Sequence, residues 1–161
     1  MVDLHPAVAV LAPLLGTWTG SGTGEYPTIT TFGYSETVTF GHIGKPFLAY
    51  AQRTKAVDDS RPLHAETGYV RVPAPGRVEW LLAHPTGIVE VLEGPLDIAG
   101  DGTVTMELTS TVGRSASAKE VTALSRTLTL RGDHLSYTVR MAAVGQPLQH
   151  HLAAVLRKEQ P

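Results

Sequence analysis

The chain has 161 residues and a formal charge of −2, a length that fits one domain spanning 1–161 and able to bury its own core. It contains no cysteine, which excludes disulfides, thiolate metal sites and cysteine nucleophiles, and no asparagine, which excludes N-glycosylation. Charge is balanced and no Lys/Arg run occurs, which argues against a nucleic-acid partner.

The N-terminus lacks the basic start and long apolar run of a signal peptide. Ala7 to Leu15 is apolar but too short to cross a bilayer, so the expected setting is cytoplasmic, with no membrane partner. Pro6 suits a first helical turn and Gly16 a stop, so a short helix is expected between them. Val8, Leu11, Leu14 and Leu15 would share its buried face, and Pro13 limits its length.

After Gly16 the pattern changes to strands. Turn signals recur at Gly41–Pro46, Asp58–Pro62, Pro73–Gly76, His84–Gly87, Gly100–Gly102, Gly132–Asp133 and Gly145–Pro147. The runs between them are rich in Val, Thr, Leu and Tyr, which predicts a β-sandwich or barrel. No intervening segment could form a crossover helix, so the strands should be antiparallel. Val78, Trp80, Leu82 and His84 share one strand face, as do Val104, Met106 and Leu108, and Tyr137, Val139 and Met141. Gly113 to Ala118 reads as a loop. A charged share of only 17% suits a chain that hides some surface in a homodimer, with Leu148, Leu152 and Leu156 as its apolar outer set.

Several motifs exclude chemistry. Gly20-Ser21-Gly22-Thr23-Gly24 lacks the third glycine of a dinucleotide loop. Gly41-His42-Ile43-Gly44-Lys45-Pro46 is too short for a P-loop and has Pro where magnesium needs a hydroxyl. Ser35 does not sit in a nucleophile elbow. Gly16-Thr17-Trp18 is more informative: an indole at the start of a first strand can plug one end of a small barrel, while Gly20 and Gly22 let strands bend and approach closely.

Four segments together carry a resemblance: Gly16-Thr17-Trp18-Thr19-Gly20-Ser21-Gly22-Thr23-Gly24-Glu25-Tyr26-Pro27-Thr28-Ile29, His64-Ala65-Glu66-Thr67-Gly68-Tyr69-Val70-Arg71, Ala83-His84-Pro85-Thr86-Gly87, and Gly145-Gln146-Pro147-Leu148-Gln149-His150-His151-Leu152. In this order they resemble the nitrobindin family of small haem-binding barrels. The resemblance implies a ten-stranded antiparallel up-and-down β-barrel holding one haem b. It implies that ferric haem isomerises peroxynitrite to nitrate with no net redox change, and that ferrous haem binds nitric oxide reversibly. No catalytic side chain is then required, since the chemistry belongs to the iron. His151 of the His-Leu pair matches the family's axial ligand, and Thr28 and Lys119 resemble positions placed near haem, where a lysine can pair with a propionate.

The residues alone leave His150 and His151 open. Neighbours on a regular strand point to opposite faces, so only one can enter the cavity. His150 goes with Leu148, Leu152, Ala154 and Leu156, which a packed core would favour. His151 goes with Gln149, Ala153, Val155 and Arg157, which a roomy ligand cavity would favour. Alternation is indifferent, and the resemblance selects His151. His64 and His84 either line the cavity or are satisfied structural histidines; His5, His42 and His134 are expected in solvent. Glu66 and Arg71 have opposite parity and should not pair. No acid–base pair is evident on the far side of the pocket, which argues against peroxidase chemistry. Two other classes stay open: a haem-free carrier of apolar ligands, which leaves His151 unexplained, and a nitric oxide sensor without turnover.

Overall fold

The computed structural model describes residues 1–161. A 3₁₀ helix at Pro6–Leu14 precedes ten strands: β1 Gly16–Gly24, β2 Phe32–Gly41, β3 Leu48–Ala56, β4 Pro62–Ala74, β5 Arg77–His84, β6 Ile88–Ile98, β7 Val104–Arg114, β8 Val121–Arg131, β9 His134–Ala143 and β10 Gln149–Lys158. Each strand pairs antiparallel with the next, and β10 closes the ring against β1. This is the expected up-and-down barrel. Closure leaves no edge strand, although β7 and β8 pair only from Val104↔Leu130 to Thr109↔Ser125.

The 3₁₀ form of the helix matches its buried residues, which recur every third position. Val8, Leu11 and Leu14 are all buried, and three residues per turn stack them in one row. Leu15 lies beyond the helix and is only half-buried. His5 caps the helix, its Nδ1 accepting from the Ala7 amide, so it is half-buried and not in open solvent as expected. His42 is likewise half-buried and accepts from Gly44, whereas His134 is exposed.

The helix closes one end of the barrel. Trp18 is fully buried there and donates from Nε1 to the Leu14 carbonyl at 2.8 Å. Lys158 lies over the indole and donates to Pro13. Beneath them the alternate, inward-facing residues of the strands fill the core, among them Val38, Leu48, Trp80, Leu92, Met106 and Leu135. The sets Val78–Trp80–Leu82 and Val104–Met106–Leu108 are buried as their parity predicts.

Glycine matters most at the seam. A Cβ on Gly20 would lie 2.1 Å from the Val155 carbonyl oxygen, so β1 and β10 meet at their observed spacing only without a side chain there. At the helix-covered end Gly132, at φ 59°, makes the two-residue turn joining Arg131 to His134. The Gly113–Ala118 segment is more ordered than expected, since β7 runs on through Arg114.

β10 departs from simple alternation. His150 pairs with Arg140 and Leu152 with Val139, so His151 is the extra residue of a β-bulge. The two parity sets therefore do not compete as expected. Leu152, Ala154 and Leu156 face inward, Val155 is exposed, and His151 still turns into the cavity because the bulge re-aims it. This also corrects the expected apolar outer set: Leu156 is core and Leu152 lines the cavity.

Candidate cofactor cavity

The barrel end opposite the helix opens into a cavity of about 740 Å³. Its rim is built from the β1–β2, β3–β4 and β5–β6 connections together with the neighbouring strand ends. Ile88, Leu124, Val139, Met141 and Leu152 give it an apolar wall. The volume suits a drug-sized or cofactor-sized guest.

His151 lines this cavity and is locked from one side. Its Nδ1 lies 3.0 Å from the Glu25 carbonyl, and its own carbonyl accepts from the Glu25 amide. A carbonyl only accepts, so Nδ1 carries the proton and Nε2 keeps its lone pair. Tyr26 packs edge-on against the ring at 5.4 Å between centroids. The Tyr26 hydroxyl accepts from the Ala143 amide at 2.9 Å and donates to the Met141 carbonyl at 3.1 Å, which pins it to β9. Burial holds the His151 imidazole below the usual histidine range, and positive charge on His150 or His64 would add to this; the bond to Glu25 opposes it. A neutral ring with a fixed tautomer is what a metal-ligating histidine needs. His150 faces outward beside the exposed Glu25 carboxylate, 3.6 Å away.

Thr28 and Lys119 are both exposed on loops at the mouth, Thr28 between β1 and β2 and Lys119 between β7 and β8. Neither is part of the cavity wall, whereas Ile29, Thr30 and Thr31 beside Thr28 are.

A polar cluster on the β4–β5 side of the cavity corrects the expectation that no acid–base group stands there. Arg126 is buried and donates to both oxygens of Glu66, at 2.8 and 3.1 Å, and to Glu90 at 2.7 Å. His84 bridges inward and outward. Its Nε2 lies 2.5 Å from Glu90 and its Nδ1 lies 3.0 Å from Nε2 of His64. Tyr50 donates to Glu66 and Ser110 to Glu90. Burial pushes both carboxyls up, but the Arg126 charge and the bonds from His64, His84 and Ser110 outweigh it and hold Glu66 and Glu90 below the usual carboxylate range. Glu66 thus pairs with Arg126 and not with the exposed Arg71.

A second buried carboxyl behaves oppositely. Glu36 accepts from the Tyr137 hydroxyl, which in turn accepts from Tyr34 at 2.8 Å. Burial, with the negative charge of Glu66 nearby, raises Glu36 to about 7. One Glu36 oxygen and the Gln52 amide oxygen each have no partner, and a protonated Glu36 carries a donor that the carboxylate lacks. An unfolded glutamate ionises near 4.5, so from that value to about 7 the folded chain binds more protons and its stability falls as pH rises. Glu36→Gln should therefore gain up to about 3 kcal/mol over the parent above pH 7 and almost nothing at pH 4. Urea midpoints at both pH values check this; an equal gain at both contradicts it.

Sequence reasoning missed Glu36, Glu90 and Arg126. The signal was their parity: Glu90 alternates with Ile88 and Leu92, and Arg126 with Leu124 and Leu128, so each charge sits in an inward series.

Comparison with known proteins agrees with this architecture. The THAP4-like, heme-binding beta-barrel domain matches residues 7–158. The chain belongs to that family. Family relatives include a peroxynitrite isomerase of Nocardia farcinica, 60% identical over 98% of this chain and 94% of its own length. Another is peroxynitrite isomerase 1 of Mycolicibacterium paratuberculosis, 61% identical over 98% of each chain. The crystal structure of Rv2717c from M. tuberculosis is 54% identical and superposes with a TM-score of 0.95 over 98% of this chain and 100% of that one. The cavity fits the haem of this family: one side of its wall is apolar, its volume is sufficient, and one neutral imidazole is held with a free nitrogen.

Proposed function

We propose that the chain is a single-domain, haem-dependent peroxynitrite isomerase with His151 as the axial ligand. The tautomer lock on His151 carries this reading. An apolar-ligand carrier has no use for an imidazole whose Nδ1 is tied to Glu25 and whose Nε2 stays bare. When bound, one haem b per chain, held by His151, would supply the iron chemistry: isomerisation of peroxynitrite in the ferric state and reversible binding of nitric oxide in the ferrous state.

The protein's own residues do the rest. Glu25 and Tyr26 fix the ring, so no reorientation is needed when iron is ligated. Ile88, Leu124, Val139, Met141 and Leu152 would pack against the macrocycle and limit water beside it. Thr28 and Lys119, exposed at the mouth, would offer a hydroxyl and an ammonium to the propionates. Hemin-loaded protein should speed peroxynitrite decay to nitrate in proportion to its concentration, and cyanide should abolish the effect. Equal decay with and without haem refutes the activity.

We further infer a cytoplasmic homodimer. Tyr69, Leu81 and Val91 are directly paired across β4, β5 and β6, and their outer faces are respectively 50%, 36% and 40% exposed. Such a contiguous apolar stripe on an outer sheet face marks a contact surface. No helix is long and apolar enough to cross a membrane. Light scattering at micromolar concentration should give twice the chain mass, and Leu81→Lys should give monomer; a monomeric parent excludes the dimer.

A further inference from the structure

We propose that His64 is the hydrogen-bond donor to a small anion bound in the cavity opposite His151, with His84 and Glu90 as the residues that position it. This rests on the haem reading above. In the closed ring β5 stands five strands from β10 in either direction, and β4 lies beside it. His64 on β4 and His84 on β5 therefore face His151 across the barrel, and both line the cavity. Both would thus be directed toward whatever small ligand a group held by His151 binds in the cavity.

The hydrogen bonds fix the direction of donation. Glu90 is anionic and accepts from Ser110, Arg126 and His84. A carboxylate only accepts, so the His84 Nε2 carries a proton. The His84 Nδ1 and the His64 Nε2 share another across 3.0 Å. The His64 Nδ1 makes no hydrogen bond to the chain and is the relay's free end. If the imidazole pair carries no net charge, that end is a lone pair; with one further proton on either ring it becomes an N–H.

The surrounding charge selects the donor form. Glu66 and Glu90 supply two negative charges and Arg126 one positive, so the buried group carries an excess of −1. An N–H at the free end of the relay is the form that offsets this negative excess. The cavity then presents an N–H, suited to an oxyanion, a peroxy anion or a halide. Conversion of peroxynitrite to nitrate neither takes up nor releases a proton, so His64 need only hold the anion in place while Glu90 and His84 keep its ring aimed.

Fluoride tests this without turnover, because iron-bound fluoride can only accept hydrogen bonds, whereas imidazole binds iron without needing a donor. Hemin-loaded parent, His64→Leu, His64→Gln and His84→Leu proteins would be titrated with sodium fluoride and, separately, with imidazole. His64→Leu should weaken fluoride roughly 10- to 100-fold, the worth of one charge-assisted hydrogen bond, and leave imidazole binding almost unchanged. His64→Gln keeps an N–H and should recover much of the fluoride affinity. His84→Leu leaves His64 in place but unanchored, and should weaken fluoride selectively as well. Fluoride affinity unchanged in His64→Leu overturns the proposal, as does an equal loss of fluoride and imidazole. If the parent takes up no hemin and shows no Soret band, the haem reading itself fails and this inference falls with it.

Discussion

His151→Ala should lower haem affinity by at least about 100-fold and shift the Soret band. Loss of a partner that merely orients a metal ligand commonly costs 10–100-fold, and here the ligand itself is removed. His150→Ala is the matched control. His150 is exposed and faces the Glu25 carboxylate, so its loss should leave the spectrum intact and change stability by less than about 0.5 kcal/mol. A third variant separates ligation from ring orientation: Tyr26→Leu keeps the imidazole but removes its edge-on neighbour and the bonds to Met141 and Ala143. It should weaken haem less than His151→Ala does. Hemin titrations followed at the Soret maximum measure all three. Retention of the parent spectrum by His151→Ala, with its loss in His150→Ala, would mean that the bulge on β10 is placed one residue off.

Arg126→Met should be the most destabilising single change in the cavity wall. It removes the cation that both Glu66 and Glu90 face and leaves two buried carboxylates without their counter-charge. Breaking a buried ion pair from one side typically costs about 3–5 kcal/mol, which for a chain of this size lowers Tm by on the order of 10 °C. Adding Glu66→Gln and Glu90→Gln to Arg126→Met should restore part of that loss, because charge is then removed together with its partner. The pH dependence has a definite sign. Both carboxyls sit below their unfolded value of 4.5, so the parent holds this stabilisation above that pH and loses it as pH falls further. Arg126→Met should lack that acid slope. Thermal melts at pH 4 and pH 7 decide; a loss below about 1 kcal/mol at pH 7 would show the guanidinium to be dispensable.

Much of the barrel was legible from period-two alternation and turn residues. Val78, Trp80 and Leu82, and Val104, Met106 and Leu108, lie where their parity put them, because a strand with one buried face has no other stable register. The helix was legible in extent but not in type: the three-residue repeat of Val8, Leu11 and Leu14 was the clue. The bulge at His151 was not legible, since an added residue leaves no mark in composition and breaks the rule by which faces are assigned. The ion cluster escaped for a related reason. Arg126, Glu66 and Glu90 come from three separate strands and meet only after the sheet curls closed, although their inward parity marked each one singly.

The bulge on β10 also bears on how such a protein could gain or lose its cofactor. His151 is the one residue opposite which β9 has no partner, so deleting it would leave His150 against Arg140 and Leu152 against Val139, as they already are. A single codon's loss would thus leave an intact ten-stranded container with no candidate iron ligand on its last strand. The reverse event, one inserted histidine at the same place in a barrel of this shape, would add a ligand without disturbing the pairing on either side. Iron binding would then be separable from folding by one insertion or deletion, a far smaller step than the redesign of a core.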